Sequence, residues 1–356
     1  MVMPGEPILL SLYVYAPNKA APVFFATTYA LSASFHVWQC YRYKAFKLIG
    51  LHPVCAILFT LGYILRAYSA HDNYVYSLAT KKPLFIFIFS QVFIYVCPPL
   101  LELANYRILA RVFHYIPYLA PLPPTRVMTT FGGLMALVEA LNAIGVALSA
   151  NPSSSSESTQ SLGGQLTLAA IGIQLAVIVI FVAMASIFHV RFHQTSLQSR
   201  SVSTVLWTLY TSMALIFVRC VYRLVEHMDH TKIKLDDLEA LRQLNPLRRY
   251  ESYFYVFEAT LMLLNSLLWN AWHPGRLLPQ EVHVFLGRDG REVIGQKTRD
   301  DRGMVEKIGH VFTFGILFRQ KTTGTGQWQE IGAHSNGERR DTEGDDIALR
   351  ATGLHP

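Results

Sequence analysis

Seven stretches of this chain are each about 20 residues long and almost wholly apolar: 21–41, 48–70, 84–109, 126–149, 166–189, 202–225 and 252–272. A helix rising about 1.5 Å per residue crosses a hydrocarbon layer of roughly 30 Å in that length. In lipid every backbone N–H and C=O must be satisfied within the chain, and for continuous apolar runs the helix does this. The sequence therefore predicts an all-α integral membrane protein with seven transmembrane helices. Composition agrees, because only 15% of the 356 residues are charged and 51% are hydrophobic, whereas a soluble domain carries about 25% charged residues.

Basic residues in the short loops set the orientation. The loop after the first stretch carries Arg42, Lys44 and Lys47, the third connection is bracketed by Arg107, Arg111 and Arg126, and the fifth has Arg191 and Arg200. The N-terminal segment has only Lys19 and the second loop Lys81 and Lys82, while the fourth, Asn151 to Gln165, has no base. Three divisions follow: an extracellular segment over 1–20, a seven-helix transmembrane domain over 21–272, and a cytoplasmic polar tail over 273–356 that reads as largely disordered. No basic region precedes the first apolar stretch, so that helix is expected to act as its own uncleaved signal. The fourth loop, with four serines from Ser153 to Ser156, reads as flexible. The sixth predicts a short amphipathic helix around Leu238 and Leu241, and Arg288-Asp289-Gly290 predicts a hairpin over 282–293.

Ionisable side chains at mid-bilayer cost about 2.5 to 3.5 kcal/mol each on insertion scales, so each invites a functional question. The sixth stretch supplies Arg219, Tyr222, Arg223 and Glu226, whose spacing places all four on one helix face. Helix direction puts these, with Arg66 on the second helix, in the outer half. Gln91, Gln174 and Glu258 fall early in the third, fifth and seventh helices and so lie in the same half. The expectation is a polar chamber opening outward, with Arg219 or Arg223 paired to Glu258 or Glu226; the bland reading is arginines snorkelling to headgroups. Deeper lie Glu139 and Asn142 on the fourth helix and Glu102, Asn105 and Tyr106 on the third. Pro98-Pro99 should break the third helix and free carbonyls. The candidate substrate-binding or translocation residues are thus Arg66, Gln91, Tyr106, Glu139, Gln174, Arg219, Tyr222, Arg223, Glu226 and Glu258.

Several chemistries lack support. The four cysteines, Cys40, Cys55, Cys97 and Cys220, all sit in apolar stretches and read as packers, not as disulfide or metal ligands. His36, His52, His189, His193 and His273 do not converge on a metal-ligand spacing within a helix, and neither a phosphate loop nor a serine-hydrolase elbow is present. No catalytic residue, metal or cofactor is expected. The formal charge of +7 comes without a basic stripe interleaved with aromatics, so the bases point to anionic lipid and not to nucleic acid.

Across about residues 13–278 the chain resembles the fungal lipid-translocating exporter family, the RTA-like proteins. The resemblance rests on Gly62-Tyr63 with Arg66, on Gln91 with Pro98, Tyr106 and Arg111, and on Arg219-x-x-Tyr222-Arg223-x-x-Glu226. It continues through Glu251-x-x-x-Tyr255-x-x-Glu258 and His273-Pro274-Gly275. It departs from the family at Phe59, where a glutamate is usual, at Met135 and Asn142, where an aspartate and a glutamine are usual, and at Glu258, usually an aspartate. The resemblance implies a plasma-membrane transporter of amphipathic lipids such as sphingoid bases, or of sterol-like toxic compounds, conferring resistance. Membrane lipids or lipophilic small molecules would be its partners. A cationic amphiphile would set its ammonium against Glu258 or Glu139. The alternative is a heptahelical receptor or stress sensor, although the third helix lacks an acid-arginine pair and the seventh a Schiff-base lysine.

A tag inserted near Ser155 should be reachable from outside intact cells, and one after Pro356 only once cells are permeabilised. The reverse labelling pattern would overturn the orientation.

Overall fold

Each apolar stretch is occupied by helix in the computed structural model, which describes residues 6–71, 74–75, 81–149, 157–195, 199–228, 237–279, 281, 284–288 and 291–294. The helices are α1 (Ala21–Arg42), α2 (Phe46–Ile49), α3 (Leu51–Ala70), α4 (Lys82–Tyr95), α5 (Cys97–Tyr115), α6 (Pro124–Ser149), α7 (Glu157–Gln194) and α8 (Arg200–Met228). Short helices α9 (Leu238–Arg242) and α10 (Pro246–Arg249) lead into a last long helix made of three pieces: α11 (Glu251–Phe254), a π-helical turn (Tyr255–Thr260) and α12 (Leu261–Ala271). A turn of helix, α13 (Pro274–Leu277), and two strands, β1 (Val284–Leu286) and β2 (Glu292–Ile294), complete the described fold.

Five of these segments are long and apolar enough to cross a membrane: Leu51–Ala70, Lys82–Tyr115, Pro124–Leu148, Ser161–Gln194 and Arg200–Met228. The two other expected spans are helical but carry more polar content or are interrupted. The 22-residue α1 includes Thr27, Thr28, Ser32, Ser34, His36 and Gln39, and the π turn divides the last helix.

Local chemistry explains the ends and breaks. The Asn18 side chain accepts hydrogen bonds from the backbone N–H groups of Ala20 (2.8 Å) and Ala21 (3.0 Å), covering donors at the start of α1. At its other end Lys44 adopts a left-handed backbone (φ 50°), with Lys44 N–H on Tyr41 O and Ala45 N–H on Cys40 O, the paired bonds of a Schellman turn. The proline pair breaks the third span as expected: α4 stops at Tyr95 and α5 starts at Cys97, since Pro98 and Pro99 cannot donate to Ile94 and Tyr95. The segment read as a flexible fourth loop is partly helical, because α7 starts at Glu157. The apolar period of the fifth span fades before residue 166, yet Ser158 to Gln165 contain no proline, so the helix runs on. Residues 151–156, including the serine run, lie outside the described residues.

Helices α1, α3, α5, α6, α7, α8 and α12 pack in a closed circuit, with α12 returning to α1, and α5 also touches α8 across the interior. That makes α5 the most enclosed helix. Fifteen of its side chains are buried. Around the circuit the outward faces are apolar, with Phe24 62% exposed, Val179 56%, Ile180 58% and Trp207 63%. A soluble protein would cover such a surface; a bilayer supplies the cover here.

The polar pieces outside the bundle dock on it. Asp237 caps α9 through the N–H groups of Glu239 and Ala240, and Leu241 and Leu244 bury against Val14, the amphipathic element expected in the sixth loop. The hairpin pairs Val284 with Ile294, Phe285 with Val293 and Leu286 with Glu292, and Tyr115 donates to Glu292 at 2.9 Å. His273, buried and lowered to about 4 chiefly by burial and then by Arg276, stays neutral and accepts from Gly275 N–H to start α13. All four cysteines are free and buried. Residues 295–356, most of the tail read as disordered, lie outside the described residues.

Close packing of α6 on α7 depends on Gly145, where a Cβ would stand 2.4 Å from Thr167 Oγ1 and 2.8 Å from Gly163 O. Gly145→Ala should lower the detergent melting temperature, with overpacking costing about 1 to 3 kcal/mol. Gly172→Ala, where a Cβ meets nothing within 4 Å, should leave it unchanged or raise it slightly. Equal melting of the two variants would contradict the packing.

Candidate functional site

The helix face defined by Arg219, Tyr222, Arg223 and Glu226 on α8 faces α12, the π turn and α5. Arg219 Nε donates to both carboxylate oxygens of Glu258, each at 2.9 Å, and both side chains are buried. Arg223 instead pairs within its own helix with Glu226 at 2.7 Å and lies over the Tyr95 ring at 4.4 Å. Two alternatives left open by spacing are thereby decided: Arg219 takes the acid of the neighbouring helix and Arg223, one turn on, takes its own i+3 acid. Snorkelling does not describe Arg219, which is 6% exposed.

Glu258 sits in the π turn, where Thr260 Oγ1 bonds back to Tyr255 O at 2.8 Å, the five-residue spacing of a π turn. The inserted residue rotates the face before it relative to the face after it. Tyr29 on α1 donates to Ala259 O at 3.0 Å, so a neighbouring helix satisfies a carbonyl in that turn.

Below this pair, Glu102 on α5 accepts from the Tyr106 hydroxyl one turn on and from Gln174 Nε2 on α7 at 2.8 Å. Asn105 donates to Ser212 Oγ at 2.8 Å, and the Trp269 indole N–H reaches the same oxygen at 3.1 Å, tying α5, α8 and α12 together. A cavity of about 40 Å³ lies between these helices, lined by Glu139, Asn142, Gln174, Arg219, Arg223 and Tyr95 among others. That volume holds about two or three waters and no alkyl chain. Glu139, half-buried on its wall, has no hydrogen-bond or ion-pair partner among the described residues.

Arg66 belongs to a different cluster. It is 1% exposed and donates to Glu251 Oε1 (2.9 Å), to the Tyr15 hydroxyl (3.0 Å) and through Nε to the Tyr255 hydroxyl (3.2 Å). Its guanidinium lies 4.2 Å from the Phe254 ring centroid and 4.7 Å from that of Tyr13. Glu251 Oε2 also accepts from Asn18 N–H at 2.7 Å, locking the N-terminal segment over the end of the bundle. Burial raises the Tyr15 phenol above its ordinary value, with Arg66 opposing, so it acts as a neutral hydroxyl.

The structure thus brings Tyr106, Glu139, Gln174, Arg219, Arg223, Glu226 and Glu258 to one region. Tyr222 stays beside it, stacked on Phe257 at 5.3 Å. Arg66 is walled off in its aromatic box, and Gln91, half-buried on α4, lies apart without a hydrogen-bond partner among the described residues. Residue periodicity missed Tyr13 and Tyr15, which come from a segment with no apolar period. Glu251 and Tyr255 were visible through the family motif and as a four-residue spacing at a helix start. Among the described residues no group of three His, Cys, Asp or Glu side chains converges as a metal site; His36 and His52 stack at 5.7 Å between α1 and α3.

The model of the family described as RTA1 like protein matches residues 53–281. A protein of Leptosphaeria maculans named lipid-translocating exporter-like protein RTA1 is 51% identical over 336 residues, covering 93% of this chain and 64% of that protein. One of the same name from Ajellomyces capsulatus is 30% identical over 236 residues, 63% of this chain and 70% of that protein. The probable lipid transporter atnI of Emericella nidulans is 25% identical over 284 residues, 75% of this chain and 68% of that protein. The chain therefore spans less than two thirds of the Leptosphaeria protein's length. No solved structure matches it.

Removing one partner of a buried ion pair costs about 3 to 5 kcal/mol, because the other charge is left unpaired. Arg219→Gln and Glu258→Gln should each lower thermal stability strongly, and the double variant should be no worse than the poorer single one. Additive losses in melting temperature would show that the two side chains are not coupled.

Proposed function

The chain belongs to the RTA1-like protein family, and we propose that it is a transporter that moves amphipathic lipids or lipophilic toxic compounds across a membrane. The substrate class we favour is a long-chain amphiphile with an ammonium headgroup, and resistance to such compounds is the expected consequence. In this reading all seven long helices span the plasma membrane, with the N-terminus outside and the C-terminus in the cytoplasm. Its apolar exterior and the lipid-transporter names of its relatives support an integral membrane location.

One observation carries the substrate class. Of the two acids considered for an ammonium, Glu258 is taken by Arg219, whereas Glu139 faces the interhelical cavity with no hydrogen bond or ion pair among the described residues, and Arg219 acts on it only through space. Asn142 and Gln174 line the same wall and offer further hydrogen-bonding groups. The cavity takes a headgroup's polar end and a few waters, and the tail has no room inside. An amphiphile would therefore keep its chain in lipid against the exposed helix faces while its headgroup passes the polar groups, which spares the chain any desolvation from hydrocarbon. The break at Val96 and the π turn at Tyr255–Thr260 lie on helices that border this region and supply places where the bundle can flex.

Glu139→Gln should reduce translocation of a fluorescent long-chain base in proteoliposomes by about tenfold, the loss of one charge-assisted hydrogen bond. Glu139→Asp should retain more activity than Gln. Normal movement by Glu139→Gln, with wild-type folding, would remove Glu139 from the pathway.

A further inference from the structure

A second cavity, seven times larger than the first by the ratio of about 290 Å³ to about 40 Å³, opens at the end of the bundle opposite the N-terminal segment. Among the described residues its lining contains four bases, Lys44, Lys47, Arg107 and Arg111, and no aspartate or glutamate. Leu48 and Met128 supply an apolar flank. The bases come from three separate elements. Lys44 is set by the Schellman turn that ends α1, in a left-handed conformation where glycine is the usual residue. Lys47 follows on α2. Arg107 and Arg111 stand one turn apart on α5, so their side chains leave the same face.

Two of these bases differ in how they are held. Arg111 is fixed by donating to the backbone carbonyls of Pro279 (3.0 Å) and Glu281 (2.6 Å). Arg107 is half-buried and has no hydrogen-bond or ion-pair partner among the described residues. Four cations gathered round one concavity repel each other, and the partly buried arginines are screened less than surface charges. An anion would relieve that repulsion and satisfy Arg107. The mouth lies where α1, α5 and the last helix end, and a bilayer covering the apolar helix faces would bring its headgroups to this level.

We propose that this pocket binds the phosphate monoester headgroup of an anionic phospholipid. Arg107 and Lys47 meet the phosphate oxygens, Arg111 and Lys44 complete the positive wall, and the acyl chains leave past Leu48 and Met128 into the bilayer. A monoester, carrying roughly −1.5 to −2 charge, suits four bases better than a zwitterionic headgroup does. This site is separate from the Glu139 cavity and does not depend on the transport reading: a bound lipid here anchors or regulates the bundle whether or not anything is moved.

The test is native mass spectrometry of the full-length protein in detergent, titrated with dioleoylphosphatidic acid, with dioleoylphosphatidylcholine and with inorganic phosphate. Wild type should retain phosphatidic acid adducts where phosphatidylcholine gives none. Lys47→Gln and Arg107→Gln should each weaken retention by about tenfold or more. Arg242→Gln, which removes an exposed charge on α9, should not. Should Arg107→Gln fail to fold, the exposed Lys47 carries the comparison. Adducts undiminished in the folded pocket variants would overturn the proposal, as would inorganic phosphate binding as tightly as the lipid, which would make the site one for a free anion. Binding with no translocation would leave it standing and count only against the transport reading.

Discussion

A guanidinium inside an apolar bundle must meet an acid or other acceptors, or be expelled to the headgroups, and this constraint organises one half of the molecule. Arg219 satisfies it with Glu258, on a helix 39 residues further along the chain. Holding that contact fixes the rotation of α12 against α8. The π turn is how the last helix reaches the required angle without losing its apolar face. The same constraint, met locally, gives Arg223 its own i+3 glutamate and Arg66 a box of tyrosines closed by Glu251. These three arginines thus have three different solutions, two of which, at Arg219 and Arg66, tie separate elements together.

The consequence for function is a division between used and unused charge. The paired groups cross-link α8 to the last helix and the N-terminal segment to the end of α3. Glu139 is left over, at the wall of a small polar cavity beside the paired residues. A site built this way can select a headgroup without enclosing a substrate, which accords with a cavity too small for a chain and an exterior apolar on every side. The bundle is also polarised along its length. At one end an arginine is buried and neutralised, whereas at the other four bases line one concavity.

The breaks in the helices follow from the same economy of satisfied groups. Proline at 98 and 99 cannot donate, so the third span is two helices meeting at Val96, and Cys97 Sγ donates back to Phe93 O at 3.0 Å beside the break. The π turn loosens regular bonding near Glu258, and Tyr29 and Thr260 supply side-chain partners there. Both irregularities sit at the level of the polar groups, so the segments most able to adjust are those that border the candidate pathway.

The sequence by itself determined the helical stretches, the proline break, the shared face of Arg219, Tyr222, Arg223 and Glu226, and the hairpin after the last helix. Each of these is written in local spacing or in the length of an apolar run, and local spacing survives without knowledge of neighbours. Only the tertiary structure decided which arginine takes which acid, because 219 and 258 are brought together by helix packing that no periodicity encodes. It also decided that Arg66 is sealed and not lining a chamber, since its cover comes from Tyr13 and Tyr15 in a segment without a regular period. The basic pocket belongs to the same class. Lys44, Lys47, Arg107 and Arg111 read along the chain as ordinary loop-flanking charges, and only the meeting of α1, α2 and α5 at one end of the bundle turns them toward a common space.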